Sequence, residues 1–581
     1  MMKKNKRIIA TLLSALLAFG TVGSLAACGG MGGTGEKIDE KTIVVKTRRA
    51  GFGTDWLYEL KGKFEAAYAK EGYKVMVRPP DNAIKGDTLV KELALGYDET
   101  KVDLYISTDA NPDTVGAAGD YGVLVENIEE SVYNQPAISY NGTEETKTVR
   151  EKISAETISY MTDTNGELYG YSWAQTSAGL VVNTRKLAAY GLALPKTTNE
   201  MFDCFDKIYC GYNGIENSIE SGTYPITYVS GGNGYGVVFL YALMAQYDIE
   251  EYNKFWTFMD TDESGASVKL SDEACQELYD DPMLLEMMKV AYRAFDLNIS
   301  APGSAAQGVD QAQAKVMGDT DDAVFMFNGD WMLNEVKLNY EDELGDIDFI
   351  NFPVISALGT KVFGAGTAYN FDEAKCEELL SYIVGLVDEN KSIDEIITAV
   401  KAEKKVDIAE EDAKEVARAR GVTYARGPEH VAYITKGSPK KDIASLFLRM
   451  MSSDDFGETF SRVANGTSPY CAKENTTSPY KFVRNASKIP ANRYFSLVSQ
   501  FGALKGYRGQ LGGSLLGLFT TESHIPDYIT AESTASIYTE LGTRNDLTES
   551  VYTTAAEKFL AEEKANVIKN WNDYKTSAGL K

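Results

Sequence analysis

Between residues 42 and 106, three short β-rich runs alternate with two segments of helical periodicity, an order that few folds accommodate. Thr42-Ile43-Val44-Val45-Lys46-Thr47 is the first run. Residues 55–69 follow with apolar side chains at helical spacing: Trp56, Leu57, Leu60, Phe64, Ala67 and Tyr68. Residues 73–77 alternate as a strand, 87–95 read as a helix, and 102–106 form a third strand. Strands joined by helices run parallel, because each crossover returns the chain to the same end of the sheet. Ligands of such sheets settle beyond the carboxyl ends of the strands. Those ends are Arg48-Arg49-Ala50-Gly51-Phe52, Arg78-Pro79-Pro80-Asp81-Asn82 and Ser107-Thr108-Asp109. Arg49, Asp81 and Asp109 are therefore candidate ligand contacts.

A second region begins near Gly166. Leu180-Val181-Val182-Asn183 reads as a strand and residues 184–190 as a short helix closed by Gly191. Thr197 or Asn199 caps the next helix. Residues 282–295 form an amphipathic helix. Ala323-Val324-Phe325-Met326-Phe327 is a strand of the fully buried type, ending in Asn328-Gly329-Asp330-Trp331, and residues 348–353 form another strand. Residues 372–426 are almost wholly helical and highly charged, with Lys401-Ala402-Glu403-Lys404-Lys405 and Glu410-Glu411-Asp412 read as solvated helix faces.

The start of the chain reads as an address. Lys3, Lys4, Lys6 and Arg7 precede an apolar run from 8 to 22, then Leu25-Ala26-Ala27-Cys28 and a glycine-rich stretch. This predicts a signal peptide over 1–27, too short for a stable membrane span. The last four residues resemble a bacterial lipobox. That resemblance implies cleavage before Cys28, a diacylglyceryl anchor on its thiol, and an outward-facing protein at the cell membrane. Residues 28–39 would then be a flexible tether.

The 581 residues include 58 Lys and Arg against 84 Asp and Glu, a net charge of −26. Without the four bases of the leader, 54 bases face 84 acids, or −30. Nucleic acid is not an expected partner, since its phosphates need a basic surface. Two histidines, His430 and His524, are too few for a histidine-built metal site or triad. Cys204, Cys210, Cys275, Cys376 and Cys471 include no Cys-x-x-Cys, so they are read as buried thiols. Asp260-Thr261-Asp262-Glu263-Ser264-Gly265 starts like a calcium loop. Ser271 stands where the bidentate Glu belongs, and a polar turn is expected instead. No metal or cofactor is expected.

Three blocks carry a family resemblance. They are Gly166-Glu167-Leu168-Tyr169-Gly170 through Leu180-Val181-Val182-Asn183, Gly191-Leu192 and Pro195-Lys196-Thr197; then Ala323 to Trp331; then His430-Val431-Ala432-Tyr433-Ile434 with Lys436-Gly437-Ser438 and the helix over 443–451. In this order they resemble the extracellular solute-binding proteins of the maltose-binding type, which feed ABC importers. Val182 departs from the tyrosine usual in the first block. The resemblance implies an α/β, two-lobed periplasmic-binding-protein-like fold of type II, with a hinge and an interlobe cleft. It places lobe one at 40–165 plus 322–355, and lobe two at 166–321 plus 356–581, with 372–426 as a helical insertion. It implies a monomer that hands an oligosaccharide to permease subunits and catalyses nothing.

A sugar presents hydroxyls in a plane and an apolar C–H face. Its cleft needs aromatic platforms and planar bidentate groups. Trp173, flanked by Tyr171, is the expected platform in lobe two. Trp331, beside Asp330, is the expected platform in lobe one. Asn233 in Ser230-Gly231-Gly232-Asn233-Gly234-Tyr235-Gly236 is a further contact on a glycine-rich loop. The alternatives are a surface glycan hydrolase, which needs only two suitably spaced carboxylates, and an envelope scaffold protein.

Overall fold

The computed structural model describes residues 38–110, 112–116, 122–163, 165–229, 235–262, 264–304, 306–318, 322–424, 430–498, 538–539, 543–544 and 548–577. The strands that build the body are, in chain order, β1 (Thr42–Thr47), β2 (Lys74–Val77), β3 (Leu104–Thr108), β4 (Tyr171–Ser172), β5 (Ala178–Asn183), β6 (Thr223–Thr227), β7 (Asp322–Gly329), β8 (Ile347–Ile350), β9 (Val422–Tyr424), β10 (His430–Ile434) and β11 (Ser496–Val498).

Two large sheets form, and β9 pairs parallel with β11 in a small one apart from them. The first has the order β2-β1-β3-β10-β4. β1 runs parallel to both β2 and β3, as the strand–helix–strand pattern requires. The crossovers are helices α1 (Asp55–Ala67) and α2 (Gly86–Leu93). Trp56, Leu57, Leu60 and Phe64 of α1 are buried, which is the face that the sequence periodicity marks. The second sheet has the order β8-β5-β7-β6. Its central strands are buried on both faces: Leu180 and Val182 of β5 join one apolar cluster, while Val181 between them joins another. This two-sided burial explains why β5 and β7 read as continuous apolar runs rather than alternating ones.

The lobe boundaries differ from those expected. β7 pairs antiparallel with β5, from Phe325↔Val182 to Gly329↔Ala178, so 322–350 belongs to the second sheet and not the first. β10 pairs antiparallel with β3, from His430↔Thr108 to Ile434↔Leu104, so this late block belongs to the first sheet. Helices α8 (Lys441–Met451) and α9 (Asp454–Ala464) follow it there, packing Phe447, Phe456 and Phe460 against Phe64 and Trp56. The reason is register: a strand buried on both faces takes a central position, and each of these two finds it in the other sheet.

Among the described residues the chain passes between the lobes at 173–177 and at 465–480, and these two passages are tied by Gln175 N donating to Thr467 O at 2.9 Å.

The helical stretch expected as an insertion forms α6 (Glu373–Asp388), a short helix over Ile393–Ala399, and α7 (Glu410–Gly421). These are not only solvated faces. Leu379, Leu380, Ile383, Val416 and Ala417 extend the core of the second lobe. α10 (Lys481–Ala491) covers β8, and α11 (Thr548–Ser577) lies along α4 (Pro282–Ala294). Among the described residues no helix is long and apolar enough to cross a membrane.

One buried ion pair fastens the returning block to the first sheet. Asp103 is 0% exposed and accepts from Lys440 Nζ at 2.9 Å, Val44 N at 2.8 Å and Ser438 Oγ at 2.6 Å. Lys440 Nζ also donates to Thr42 O. Removing one partner of such a pair strands a charge in the core. Lys440→Ala is therefore expected to destabilise the protein by about 3–5 kcal/mol, read by chemical denaturation.

Candidate functional site

The carboxyl ends of β1, β2 and β3 converge at one edge of the first sheet. Arg49 is exposed there, and its backbone N donates to Asn82 Oδ1 at 3.3 Å, which joins the loops after β1 and β2. Asp81 accepts from Ala83 N at 3.0 Å and pairs with Lys46 Nζ at 3.1 Å. The amide of Ala83 first, then Lys46, holds its carboxyl below the usual range. Asp109 follows β3 with a φ of +61°, a left-handed conformation uncommon for a residue with a side chain. In that position its Oδ2 accepts from Thr108 Oγ1 at 2.9 Å and from Arg48 Nη1 at 3.3 Å. Arg49, Asp81 and Asp109 thus each stand in a loop after one of the three parallel strands.

Two further rim groups carry weaker sequence signals. Arg48 is the cation that Asp109 holds, and only its place beside Arg49 at the end of an apolar strand marks it. His430 opens β10 opposite Thr108. It is buried against Phe52 and Trp173, with ring centroids at 5.4 and 4.7 Å. Burial pushes its pKa down to about 4, the nearby Asp109 opposing and Arg48 reinforcing. Its Nδ1 has no hydrogen-bond partner among the described residues.

Trp173 and Tyr171 are not platforms. Trp173 is fully buried in the first lobe, not the second. Its indole N–H donates to Ser107 O at 2.9 Å, and its ring stacks on Trp56 at 5.2 Å. Tyr171 is also fully buried, stacks on Tyr470 at 5.1 Å, and shares a hydrogen bond of 2.9 Å with Ser452 Oγ. An indole is large enough that packing with a satisfied N–H outcompetes exposure at a rim. Asn233 and Cys28 lie outside the described residues.

Trp331 sits at the seam of the lobes. It precedes the short helix α5 (Met332–Val336) at the end of β7, so it belongs to the second sheet. Its ring lies against Gly329, and its Cβ lies so near Gly51 that an added Cβ there would be 2.9 Å away. Gly51 belongs to the arginine-bearing loop after β1, and the half-buried Trp331 packs on the apolar cluster of the first lobe. α5 is held to the same lobe by Asn334 Nδ2 donating to Ala464 O at 2.7 Å, and by Asn465 Nδ2 donating to Asn334 Oδ1 at 2.9 Å.

Asp330 lies one residue earlier and is 5% exposed. Its N donates to Ser177 O at 3.0 Å, and its Oδ2 accepts from Ser177 N at 3.2 Å. Burial pushes its pKa up to about 8 against the pull of the amides of Ser177, Asp330 and Trp331. The site therefore joins a charged rim on one lobe and an indole from the other, with a buried carboxyl one residue before the indole. Ser438, the first residue of a Ser-x-x-Lys run, has its hydroxyl buried on Asp103. Asp260 pairs with Lys254 at 3.3 Å, and Asp262 accepts from Ser264 N and Ala266 N as an ordinary hairpin turn.

The fold is similar to that of a probable secreted solute-binding lipoprotein from Streptomyces coelicolor, with a TM-score of 0.50 at 12% identity over 90% of this chain and 99% of that one. The chain has the two-lobed fold of the solute-binding proteins. More distant similarities are to a chitin oligosaccharide binding protein (TM-score 0.48, 12% identity, 90% and 100% covered) and to RafE in complex with raffinose (TM-score 0.47, 13% identity, 90% and 99% covered). No family model matches the sequence, and no curated protein matches it.

Two expectations separate packing from binding. Trp173→Ala is expected to cost about 3–5 kcal/mol of stability in denaturant titrations, as for a core aromatic. His430, with its folded pKa depressed, binds fewer protons than the unfolded chain at mildly acid pH. Stability falls as pH drops from about 6.5 to about 4, and the loss should be about 3 kcal/mol larger in the wild type than in His430→Gln. Denaturant titrations at both pH values measure the difference.

Proposed function

We propose that this chain is the substrate-capturing subunit of an ABC importer, a lipid-anchored extracellular protein that holds an oligosaccharide between its lobes and passes it unaltered to a permease. The observation that carries the reading is the seam at Trp331. An indole from the second lobe meets the first lobe at Gly51, in the loop that carries Arg48 and Arg49, while Asp109 pairs with Arg48 and Asp81 follows the neighbouring strand. Aromatic face and fork-shaped polar groups are the two chemistries a saccharide needs.

The leader with Leu25-Ala26-Ala27-Cys28 supports export and acylation at Cys28. Similarity of fold to a solute-binding lipoprotein supports capture rather than turnover. Binding by two lobes also supplies a signal, because a ligand touching both stabilises the closed arrangement by its differential affinity.

Calorimetry with a panel of oligosaccharides tests the proposal. Saturable heat with at least one sugar, and recovery of that sugar uncleaved, is the expected result. Silence across the panel removes the saccharide assignment, and cleaved product reassigns the chain to hydrolysis. With the binding sugar in hand, Trp331→Ala should weaken affinity at least ~10-fold, the scale of a central aromatic contact.

A further inference from the structure

The carboxyl of Asp330 has an environment that ligand capture does not explain. It is shut off from solvent at the point where the second sheet hands the chain to the passage at 175–177. Oδ2 has the amide of Ser177 as donor, but Oδ1 has no hydrogen-bond partner among the described residues, and neither does the buried Ser177 Oγ. The titratable groups on the surrounding elements are Arg48 and Arg49 after β1, Asp109 after β3, His430 at the head of β10, and Glu335 on α5. Arg48 is engaged with Asp109, and Glu335 accepts from Gln313 Nε2 at 2.7 Å. The passage at 173–177 carries no titratable side chain, while that at 465–480 carries Tyr470, Cys471, Lys473, Glu474 and Tyr480, with Lys473 paired to Glu458 at 3.6 Å. Among the described residues Asp330 thus has neither a paired cation nor a full set of donors. A buried carboxylate in that condition is costly, while the neutral acid is tolerated.

Trp331, its immediate neighbour in sequence, is pressed on Gly51 of the first lobe, and α5 is pinned to 464–465 of the same lobe. A parting of this seam that admitted water to Oδ1 would remove most of the penalty on ionisation. Proton binding and the observed lobe arrangement then favour each other, as linkage requires when one state holds the proton more tightly.

We propose that Asp330 is a proton-operated latch at the hinge: the uncharged carboxyl holds the lobes as seen here, and its ionisation releases them. The latch acts on the protein itself and does not depend on what the cleft binds.

Small-angle scattering of the full chain without ligand, from about pH 6 to about pH 9, tests it, because this range brackets the raised pKa of about 8. The radius of gyration of the wild type should rise across the range, while Asp330→Asn, a neutral isostere, should keep the low-pH value throughout. A flat wild-type profile overturns the proposal, and so does an equal rise in both proteins. Should Asp330→Asn not fold, carbon-13 spectra of the aspartate carboxyls in the wild type decide. A signal assigned to Asp330 that stays protonated above about pH 6 supports the latch, and titration of Asp330 near the ordinary 3.8 overturns it.

Discussion

The antiparallel ladder between β3 and β10 is the interaction on which the rest of the molecule depends. It joins segments far apart in sequence: Ser438, just past β10, bonds to Asp103, just before β3, across 335 positions. The chain between β4 and β10 must leave the first lobe and come back. The second lobe is therefore a continuous excursion that begins after β4 and returns at β10, with α10 and α11 added after a further passage. The Lys440–Asp103 pair at the base of that ladder then serves the whole fold rather than one helix end. Without it, a charge remains where the returning strand must seat.

The ladder also decides where the rim lies. By placing His430 opposite Thr108, it sets the rings of His430, Phe52 and Trp173 together beside the strand end that carries Thr108 and Asp109. Trp173 is drawn into this group by the carbonyl of Ser107 and the face of Trp56. The other indole, Trp331, follows a glycine at the end of a strand. It has no deep layer to enter and stays at the boundary between lobes. Two tryptophans at strand ends thus reach different fates through what surrounds them.

Local pattern made much of this legible. The alternation over 42–106 is enough for a parallel sheet and for a rim of Arg49, Asp81 and Asp109, because strand ends are set by short-range periodicity. The two-lobed class was legible from motif order. Sheet membership was not: a buried strand such as β7 has the same composition whichever sheet it joins, and only the pairing of Phe325 with Val182 settles it. For the same reason Trp173 and Tyr171 read as surface aromatics, although Ser107 and Ser452 keep their polar atoms inside. The raised pKa of Asp330 was invisible too, since burial and missing partners are properties of the assembled hinge.

The bond from Gln175 N to Thr467 O joins two of the interlobe passages side by side. A pair of strands linked in that way flexes readily like a strap but resists torsion, since twisting would shear the link. A hinge so linked would favour swinging about one axis over twisting. For the proposed capture, Trp331 would then return to the same spot over Gly51 and offer a guest the same shape from one cycle to the next.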